Sequence, residues 1–395
     1  MPLRLTTAGE SHGPRLTAIL EGIPAGVKID PAFVDRELAR RQHGHGRGGR
    51  MKIEKDHAVF EGGVRGGVTL GSPIAIGIEN RDFANWSAVM NPLENNAAAA
   101  AGRRVTRPRP GHADLAGGQK YGAADLRDVL ERASARESAA RVAAGAVCKL
   151  LLAECGVDVR SGVLSMGDVA GDDTPRSFES LERVREDSPL RAIDAALEKK
   201  MVQAIDAAKK DGETLGGSIL VGARGVPAGL GSYASWDRKL DARIGAAMLS
   251  IPAVKAVELG SSIEASRGPG SRAHDEIERG PDGALRRRTN RAGGLEAGVT
   301  NGEQVIVVVY MKPLSTLAKG LDSVDLATGE SARSAYERSD VAAVSACGVI
   351  AEAMLAFVLA DALLESTGGD RMEDVKSRLA AHRERVAAYQ RKPSP

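Results

Sequence analysis

The alternation of apolar and polar residues along the chain predicts a mixture of helices and strands. Apolar residues recur at helical spacing in several segments, whereas runs rich in Val and Ile are short and end at turn residues. The predicted helices cover 125–154, 190–210, 236–249 and 340–365, besides one that begins at Pro31, and the predicted strands cover 73–78, 217–223 and 304–311. This pattern favours the α+β class.

Two stretches of the chain resemble each other. Residues 18–26 (AILEGIPAG) lead to 35–38 (DREL), and residues 219–229 (ILVGARGVPAG) lead to 237–240 (DRKL). In both, an apolar run ends at a Gly/Pro turn and a segment of helical period follows. We interpret the match as an internal duplication of a strand-turn-helix unit; chance similarity is the alternative.

The apolar segments and the cysteines predict a soluble, cytoplasmic protein. The most apolar stretch, 341–364, is interrupted by Glu352 and Asp361, which favours a buried helix over a membrane span. The residues before Ala8 are too few for a leader peptide. The three cysteines have no paired spacing, so we expect reduced, buried thiols.

Basic residues are clustered although the net charge is only +2. Arginines crowd 47–50, 103–109 and 286–291, where few acidic residues balance them, so local anion binding is expected. The Gly/Pro/Arg-rich segments 91–118 and 267–294 show neither the helical nor the strand spacing of apolar residues, so we predict loops. Loops of that length usually bind ligands.

The loop 43–49 (HGHGRGG) is a candidate anion cradle. Its glycines match a dinucleotide-binding spacing, but the loop follows a helix instead of a strand, which argues against that fold. Its two histidines lack companion ligands at metal-binding spacing, so no metal is expected. Exposed amides beside Arg41, Arg47 and Arg50 suit a phosphate or a carboxylate.

Two histidines are candidate proton donors. His12 lies between Ser11 and a glycine, which leaves its ring accessible, although an ordinary surface histidine is the alternative. His112 follows two Arg-Pro pairs, and nearby arginines disfavour its protonation until an anion neutralises them. We therefore expect His112 to become a proton donor when substrate binds.

Three further motifs each have a functional and a structural interpretation. Arg132 and Arg136 are spaced to share one helix face, either for anion recognition beside Ser134 or as a solvated face paired with Glu137. The turn 312–316 (KPLST) could hold phosphate or be an ordinary strand-end turn. Asp340 could be a functional carboxylate, but an N-cap is the expectation from sequence.

Taken in order, these motifs resemble those of the chorismate synthases. They are Ala8–Gly13, the loop that ends at Met51, Arg107–Asp114, Arg132–Glu137, Asn290–Gly294, Thr300–Gly302, Lys312–Thr316 and Arg338–Asp340. The resemblance implies an anti-1,4-elimination of phosphate from 5-enolpyruvylshikimate 3-phosphate (EPSP) to chorismate. Reduced FMN is required, without net redox change. It also implies a place in the shikimate pathway of aromatic amino acid biosynthesis.

The resemblance also implies roles for individual residues. His12 would protonate the departing phosphate, His112 would act near flavin N1, and Asp340 would accept the proton from flavin N5. The implied EPSP ligands are Ser11, Arg41, Arg47, Arg109, Arg136 and Arg338. The implied FMN ligands are Arg132, Ala133, Ser134, Pro252, Ala253, Ala297, Lys312, Pro313, Leu314, Ser315, Thr316 and Arg338. Arg41 and Arg47 match positions assigned to NADPH, and Ala297 stands where Gly is frequent in the family.

The implied fold is a β-α-β sandwich of antiparallel sheets on central helices, assembled as a homotetramer. We expect one catalytic domain over 1–366 and a charged peripheral tail over 367–395. An external flavin reductase would supply reduced FMN. Two alternatives stay open: an FMN-dependent oxidoreductase, and an RNA-binding protein built on the Arg/Gly loops. The latter is disfavoured because those loops lack Phe and Tyr for base stacking.

Overall fold

The computed structural model describes residues 2–49, 53–94, 96–171, 174–281, 283–337 and 339–391. Its helices are α1 (Pro31–Gln42), α2 (Ala97–Ala101), α3 (Asp114–Tyr121), α4 (Arg127–Ala133), α5 (Ser138–Glu154), α6 (Phe178–Glu182), α7 (Ala195–Lys210), α8 (Leu240–Leu249), α9 (Ser262–Ala265), α10 (Gly270–Ala273), α11 (Val344–Thr367) and α12 (Met372–Arg391). Its strands are β1 (Arg4–Ala8), β2 (Arg15–Glu21), β3 (Val59–Gly62), β4 (Val64–Arg65), β5 (Val68–Thr69), β6 (Ile74–Glu79), β7 (Asp158–Met166), β8 (Val169–Ala170), β9 (Gly217–Arg224), β10 (Val254–Leu259), β11 (Ile277–Arg279), β12 (Leu285–Arg287), β13 (Leu295–Glu296), β14 (Val299–Thr300), β15 (Val305–Met311), β16 (Asp322–Val324) and β17 (Ser331–Arg333).

Two antiparallel sheets enclose the central helices. One sheet has the strand order β1-β2-β6-β3, and the other has the order β10-β15-β9-β7-β8. Helix α5 packs on β2 and β6, α11 packs on β7 and β9, and the two helices pack on each other. The predicted mixed helix-and-sheet fold is confirmed.

Helix α11 is a core helix. It is long and apolar enough to cross a membrane, but 89% of its most apolar window is buried inside the protein. Glu352 lies in the middle of this helix and is completely buried, which requires the charged partners described below. Cys347 on the same helix is a buried free thiol, and burial raises its pKa to about 12.

The crossing of α5 and α11 depends on Gly145. A Cβ added there would lie 2.4 Å from the Cβ of Ala353 and 2.6 Å from its Cα. We predict that Gly145→Ala lowers the free energy of unfolding by about 1–3 kcal/mol, because neither helix can yield. Gly245 in α8 has no atom within 4 Å of its added Cβ. Gly245→Ala is the control and should stabilise by roughly 0.5–1 kcal/mol. Urea unfolding measures both, and equal effects would contradict the close crossing.

The two similar stretches have the same hydrogen bonds. In the first, Thr69 Oγ1 donates to Pro24 O (2.6 Å) and accepts from Val27 N (3.0 Å). In the second, Thr300 Oγ1 donates to Pro227 O (2.7 Å) and accepts from Leu230 N (2.8 Å). Each threonine ends a two-residue strand, β5 or β14, that precedes an inner strand of a sheet, β6 or β15.

Residues near the C-terminus contact both of these turns. Met372 N donates to Ala25 O in the first turn (2.8 Å). His382 Nε2 donates to Ala228 O in the second turn (2.7 Å). Helix α12 is buried at Met372, Val375 and Leu379 and becomes exposed toward its end. One helix therefore spans the two copies of the repeated turn.

Three predicted helix boundaries are corrected. The helix predicted over 125–154 is interrupted at Ser134, whose backbone is extended, so α4 and α5 are separate. The helix predicted from 190 starts after Asp194, which caps it by accepting from the amides of Ala196 and Leu197. The helix predicted from Asp340 starts at Val344, with Ala343 in the cap position.

Candidate functional site

Most of the predicted site residues line one cavity of about 880 Å³. It is bordered by α4, the start of α5, the start of α11 and the turn after β15. The predicted residues on its wall are Ser11, His12, Arg41, Arg47, Arg109, His112, Ala133, Ser134, Arg136, Pro252, Ala253, Lys312, Leu314, Ser315, Thr316 and Asp340. Segments far apart in sequence thus meet at one cavity. Its volume is usual for a site that binds a small molecule.

Some predicted residues are not on this wall. Arg132 is exposed, and its guanidinium donates to Thr7 O (2.8 Å) and Gly9 O (3.0 Å). It does not share a helix face with Arg136, because α4 ends at Ala133. Pro313 is also off the wall, as is Ala297, which lies in the turn between β13 and β14. Arg338 and Arg50 lie outside the described residues.

A buried carboxylate holds two of the arginines. Asp56 Oδ2 lies 2.9 Å from Arg41 Nη2, and Asp56 Oδ1 lies 2.6 Å from Arg136 Nη1. Burial opposes ionisation of Asp56, but the two guanidiniums outweigh it and lower its pKa. Burial lowers the pKa of Arg41, against the attraction of Asp56. A second buried carboxylate, Glu54, lies 3.8 Å from Arg136 Nη2, so two carboxylates face these two guanidiniums.

Each of these two guanidiniums has a hydrogen-bond donor that is not used. Among the described residues, neither Arg41 Nε nor Arg136 Nη2 has a hydrogen-bond partner, although both atoms are buried. A buried donor without a partner is costly and needs an explanation. An anionic ligand in the cavity would supply the missing acceptors.

His112 is held by Asp114 together with Arg109. The Asp114 carboxylate accepts from His112 Nδ1 (2.6 Å) and from Arg109 Nε (2.8 Å) and Nη2 (3.0 Å). Burial would raise the pKa of Asp114, but these hydrogen bonds hold it well below its usual range. Arg109 lies beside His112 as predicted, with its Nη2 3.0 Å from His112 Nδ1, and a carboxylate also contacts the ring directly.

His12 also has a carboxylate partner. Glu131 Oε1 lies 2.8 Å from His12 Nδ1, and Glu131 Oε2 accepts from His12 N at 2.7 Å. The ring stacks on Trp86, with centroids 4.0 Å apart and planes inclined by 24°. His12 is thus fixed from its edge and from its face, and its Nε2 is the ring nitrogen left for a ligand.

Asp340 is not a helix cap. Its Oδ1 accepts from Gly48 N at 2.6 Å, and its Oδ2 lies 3.3 Å from Arg47 Nη1. The interpretation as an N-cap was wrong because α11 starts four residues later. The carboxylate instead fastens the Gly-rich loop to the cavity wall.

Part of the cavity wall is apolar. Ile251, Ala253, Met311 and Leu314 form the apolar part. Ala253 has φ +69°, a conformation that costs free energy in a residue with a Cβ and often marks a functional site. Lys312 Nζ donates to Gly111 O (3.0 Å), and burial together with the nearby Lys255 lowers its pKa. Such a wall suits a flat ring with an anionic tail.

Comparison with known proteins assigns the family. A chorismate synthase family model matches residues 3–364. A chorismate synthase from Geobacillus kaustophilus (strain HTA426) is 53% identical over 377 residues, which cover 95% of this chain and 97% of that protein. The chain belongs to the chorismate synthase family. A chorismate synthase from Geobacillus thermodenitrificans (strain NG80-2) is 52% identical over 98% of this chain and 100% of its own. A crystal structure of chorismate synthase superposes with TM-score 0.78 and 42% identity, covering 98% of this chain and 99% of that one.

Chorismate synthases are lyases of the shikimate pathway, so the RNA-binding and oxidoreductase alternatives are not favoured. Among the described residues, no group of three or more His, Cys, Asp or Glu is placed to hold a metal ion.

Sequence analysis missed several residues that shape the site of this chorismate synthase family member. Asp56 lies in a short polar stretch without periodicity, and nothing in the sequence shows that it is buried. Glu131 is spaced as an ordinary i,i+4 partner of Arg127, which resembles a surface ion pair. Trp86 is one of only two tryptophans, and Asp114 follows His112 by two residues. The rarity of tryptophan could have drawn attention to Trp86, and the spacing from His112 could have suggested a role for Asp114.

Proposed function

We propose that this chain converts EPSP to chorismate by anti-1,4-elimination of phosphate, in the presence of reduced FMN and without net redox change. The observation that carries the proposal is the convergence of Arg41, Arg109 and Arg136 with His12 and His112 on one cavity. A substrate with two carboxylates and a phosphate needs several fixed cations beside proton donors.

The substrate end would be the arginine-rich part of the cavity. Arg41 and Arg136 have buried donors that point to an anionic partner, and Asp56 fixes their orientation. Arg109 is fixed by Asp114 and Thr316, and Arg47 adds a further cation. Planar guanidiniums bind carboxylates and phosphates through paired hydrogen bonds, so we assign EPSP to these residues and to Ser11.

The flavin end would be the partly apolar wall. Ala133, Ser134, Pro252, Ala253 and the turn 312–316 fit a flat ring beside a phosphate-bearing tail, with Lys312, Ser315 and Thr316 as polar ligands. Arg132 and Ala297 are further flavin positions of the family, but they do not line this cavity. Arg338, a third such position, lies outside the described residues. When bound, reduced FMN supplies an electron-rich ring that assists loss of phosphate.

The chain's own residues would manage the protons. As the C3–O bond breaks, His12 would donate a proton from Nε2 to the departing phosphate, since its Nδ1 faces Glu131. His112, oriented by Asp114, would donate a hydrogen bond at the ring end of the cavity. Asp340 would accept the proton that corresponds to the hydrogen lost from C6. The substrate thus loses one phosphate and gains one double bond.

Further properties of the family are proposed for this chain as well. They are a β-α-β sandwich with an internal duplication, a catalytic domain over 1–366 with a tail over 367–395, a homotetramer, a cytoplasmic location and reduced FMN from an external reductase. The matching hydrogen bonds of the two repeated turns support the duplication.

Anaerobic turnover tests the proposed function. The chain is incubated with EPSP and dithionite-reduced FMN, and chorismate and phosphate are measured together. We expect equal amounts of both products and no loss of reduced flavin. Oxidation of one reduced flavin per turnover would instead indicate an oxidoreductase, and release of neither product would overturn the proposal.

We predict that this chain does not reduce FMN with NADPH. Arg41 and Arg47, the two family NADPH positions, line the cavity that we assign to EPSP, so NADPH would have to compete with the substrate for them. With NADPH and FMN in air, the flavin spectrum should stay oxidised and no chorismate should form. Addition of an external flavin reductase under anaerobic conditions is the control that should restore turnover. Turnover with NADPH alone would contradict the prediction.

A further inference from the structure

His12 and Glu131 are connected through both the main chain and the side chain. Ser11 N donates to Glu131 O (2.9 Å), and His12 N donates to the Glu131 carboxylate (2.7 Å). The same carboxylate faces His12 Nδ1 at 2.8 Å. One residue of α4 therefore fixes the backbone, the ring orientation and the protonated nitrogen of His12 together.

Trp86 and its neighbours restrict the placement of the His12 ring. Trp86 covers one face of the His12 ring, and Trp86 Nε1 is itself anchored on Asp82 at 3.3 Å. Two guanidinium carbons, of Arg103 and Arg127, lie 4.3 and 5.0 Å from the centre of the Trp86 ring. Stacking and cation–π contacts of this kind hold an aromatic ring in place.

Glu131 is 2% exposed, so its charge acts at short range through little solvent. Its other partner, Arg127, lies 3.1 Å away and also binds Glu337 at 2.8 Å. Burial opposes ionisation of Glu131, but the hydrogen bonds and charges of His12 and Arg127 lower its pKa. The carboxylate is therefore present as an anion beside the imidazole.

We propose that Glu131 is the positioning residue that makes His12 a proton donor: it accepts Nδ1–H, directs Nε2 into the cavity and stabilises the imidazolium. This proposal rests on the proposed function for the identity of the acceptor, the departing phosphate. Glu131 does not touch the substrate and acts through His12 alone. The arrangement parallels the carboxylate of a Ser-His-Asp triad, which fixes the tautomer of its histidine and stabilises the imidazolium.

Replacement of Glu131 by Gln removes the negative charge and keeps the size. Arg127 retains Glu337, so the substitution does not leave an unpaired buried cation, and the fold should survive. We expect kcat to fall roughly 10–100-fold, a part of what a positioned acid contributes, while KM changes less than about threefold. The alkaline limb of the kcat profile should move to lower pH, because the imidazolium loses its neighbouring negative charge.

The pH profile depends on every charge that faces the ring. These groups are Glu131 and Arg127 on α4, Arg103 in the loop before α3, Asp82 in the turn before Trp86, and Glu337 behind Arg127. Glu131→Asp keeps the charge and should leave the alkaline limb in place, even if kcat falls somewhat. If Glu131→Asp keeps the wild-type alkaline limb and Glu131→Gln does not, the pH dependence of kcat requires the negative charge and not the shape of the side chain.

Asp35→Asn is a matched control. His57 pairs with Asp35 at 2.6 Å, but this His–carboxylate pair is at the surface, with the His57 side chain 65% exposed. The control should leave kcat and its pH dependence unchanged. Its failure to do so would show that removal of any such pair alters the profile.

A second readout needs neither substrate nor flavin. The chain has seven histidines, so ¹⁵N-histidine labelling with a His12→Gln spectrum for assignment reports the protonation of each His12 nitrogen in the free protein. Wild type should show a protonated Nδ1 at neutral pH, and Glu131→Gln should show a mixture of tautomers. Identical His12 titration in both proteins would overturn the proposal. Failure of wild type to release phosphate from EPSP would instead count against the proposed function alone.

Discussion

His112→Ala is expected to lower kcat by roughly 10²–10⁴-fold while leaving the protein folded. The fold should survive because Asp114, the buried partner of His112, keeps its two hydrogen bonds from the Arg109 side chain. No buried carboxylate is left unpaired, so the stability cost should be small. Anaerobic turnover with reduced FMN measures kcat, and circular dichroism with urea unfolding measures the fold.

His57→Ala is the matched control for this experiment. His57 also contacts an aspartate, but it lies at the surface away from the cavity wall. Its replacement should change neither kcat nor the unfolding midpoint. Activity of His112→Ala close to wild type would remove His112 from the mechanism. An unfolded variant would show that the Asp114–Arg109 pair does not stabilise the fold without His112.

Glu352→Gln is expected to lower the free energy of unfolding by about 3–5 kcal/mol. Glu352 is fully buried and pairs with Arg40 (2.8 Å), Lys149 (2.8 Å) and Arg191 (3.1 Å). Loss of this one carboxylate leaves three cations of the interior with too few counter-charges. Urea unfolding at neutral pH measures the change.

Glu186→Gln is the control for Glu352→Gln, because both carboxylates pair with Arg40. Arg40 also pairs with Glu186, whose side chain is 67% exposed, so Glu186→Gln should cost less than about 1 kcal/mol. Similar losses in the two variants would show that burial does not decide the contribution of this cluster.

The cluster also predicts an acid-dependent stability. Burial would raise the pKa of Glu352, but Arg40, Lys149 and Arg191 hold it well below its ordinary value of 4.5. A carboxylate with a depressed pKa stabilises the fold fully above that ordinary value, and the contribution is lost as pH falls through the folded-state pKa. The stability difference between wild type and Glu352→Gln should therefore be constant at neutral pH and shrink below about pH 4.5. A difference at about pH 3 that is as large as the difference at neutral pH would contradict this interpretation.

Periodic segments were predictable because local pattern decides them. The strand predicted over 304–311 is observed as β15, and the helix that begins at Pro31 is α1. The break at Ser134 was not predictable, since the residues around it have ordinary helical spacing. Ser134 accepts from Arg136 N instead of continuing the helix, and this local bond turns Arg136 into the interior.

The cations of the site were visible in the sequence, but the anions that orient them were not. Arginines in or directly before Gly/Pro-rich loops have few structural roles, so Arg41, Arg47 and Arg109 suggested a ligand. Asp56 and Glu131 become informative only when distant segments are brought within 3 Å of them. Their role is set by tertiary contacts, which a single sequence does not record.

The helix that spans both repeated turns has a consequence for synthesis of the chain. Ala25 N donates to Asp370 O, and Ala228 O is bound by His382, so both contacts need the last tenth of the sequence. The amino-terminal half leaves the ribosome long before those residues exist. A nascent chain can form its sheets early, but the contacts of both turns with this C-terminal segment form only after residues 370–382 have left the ribosome.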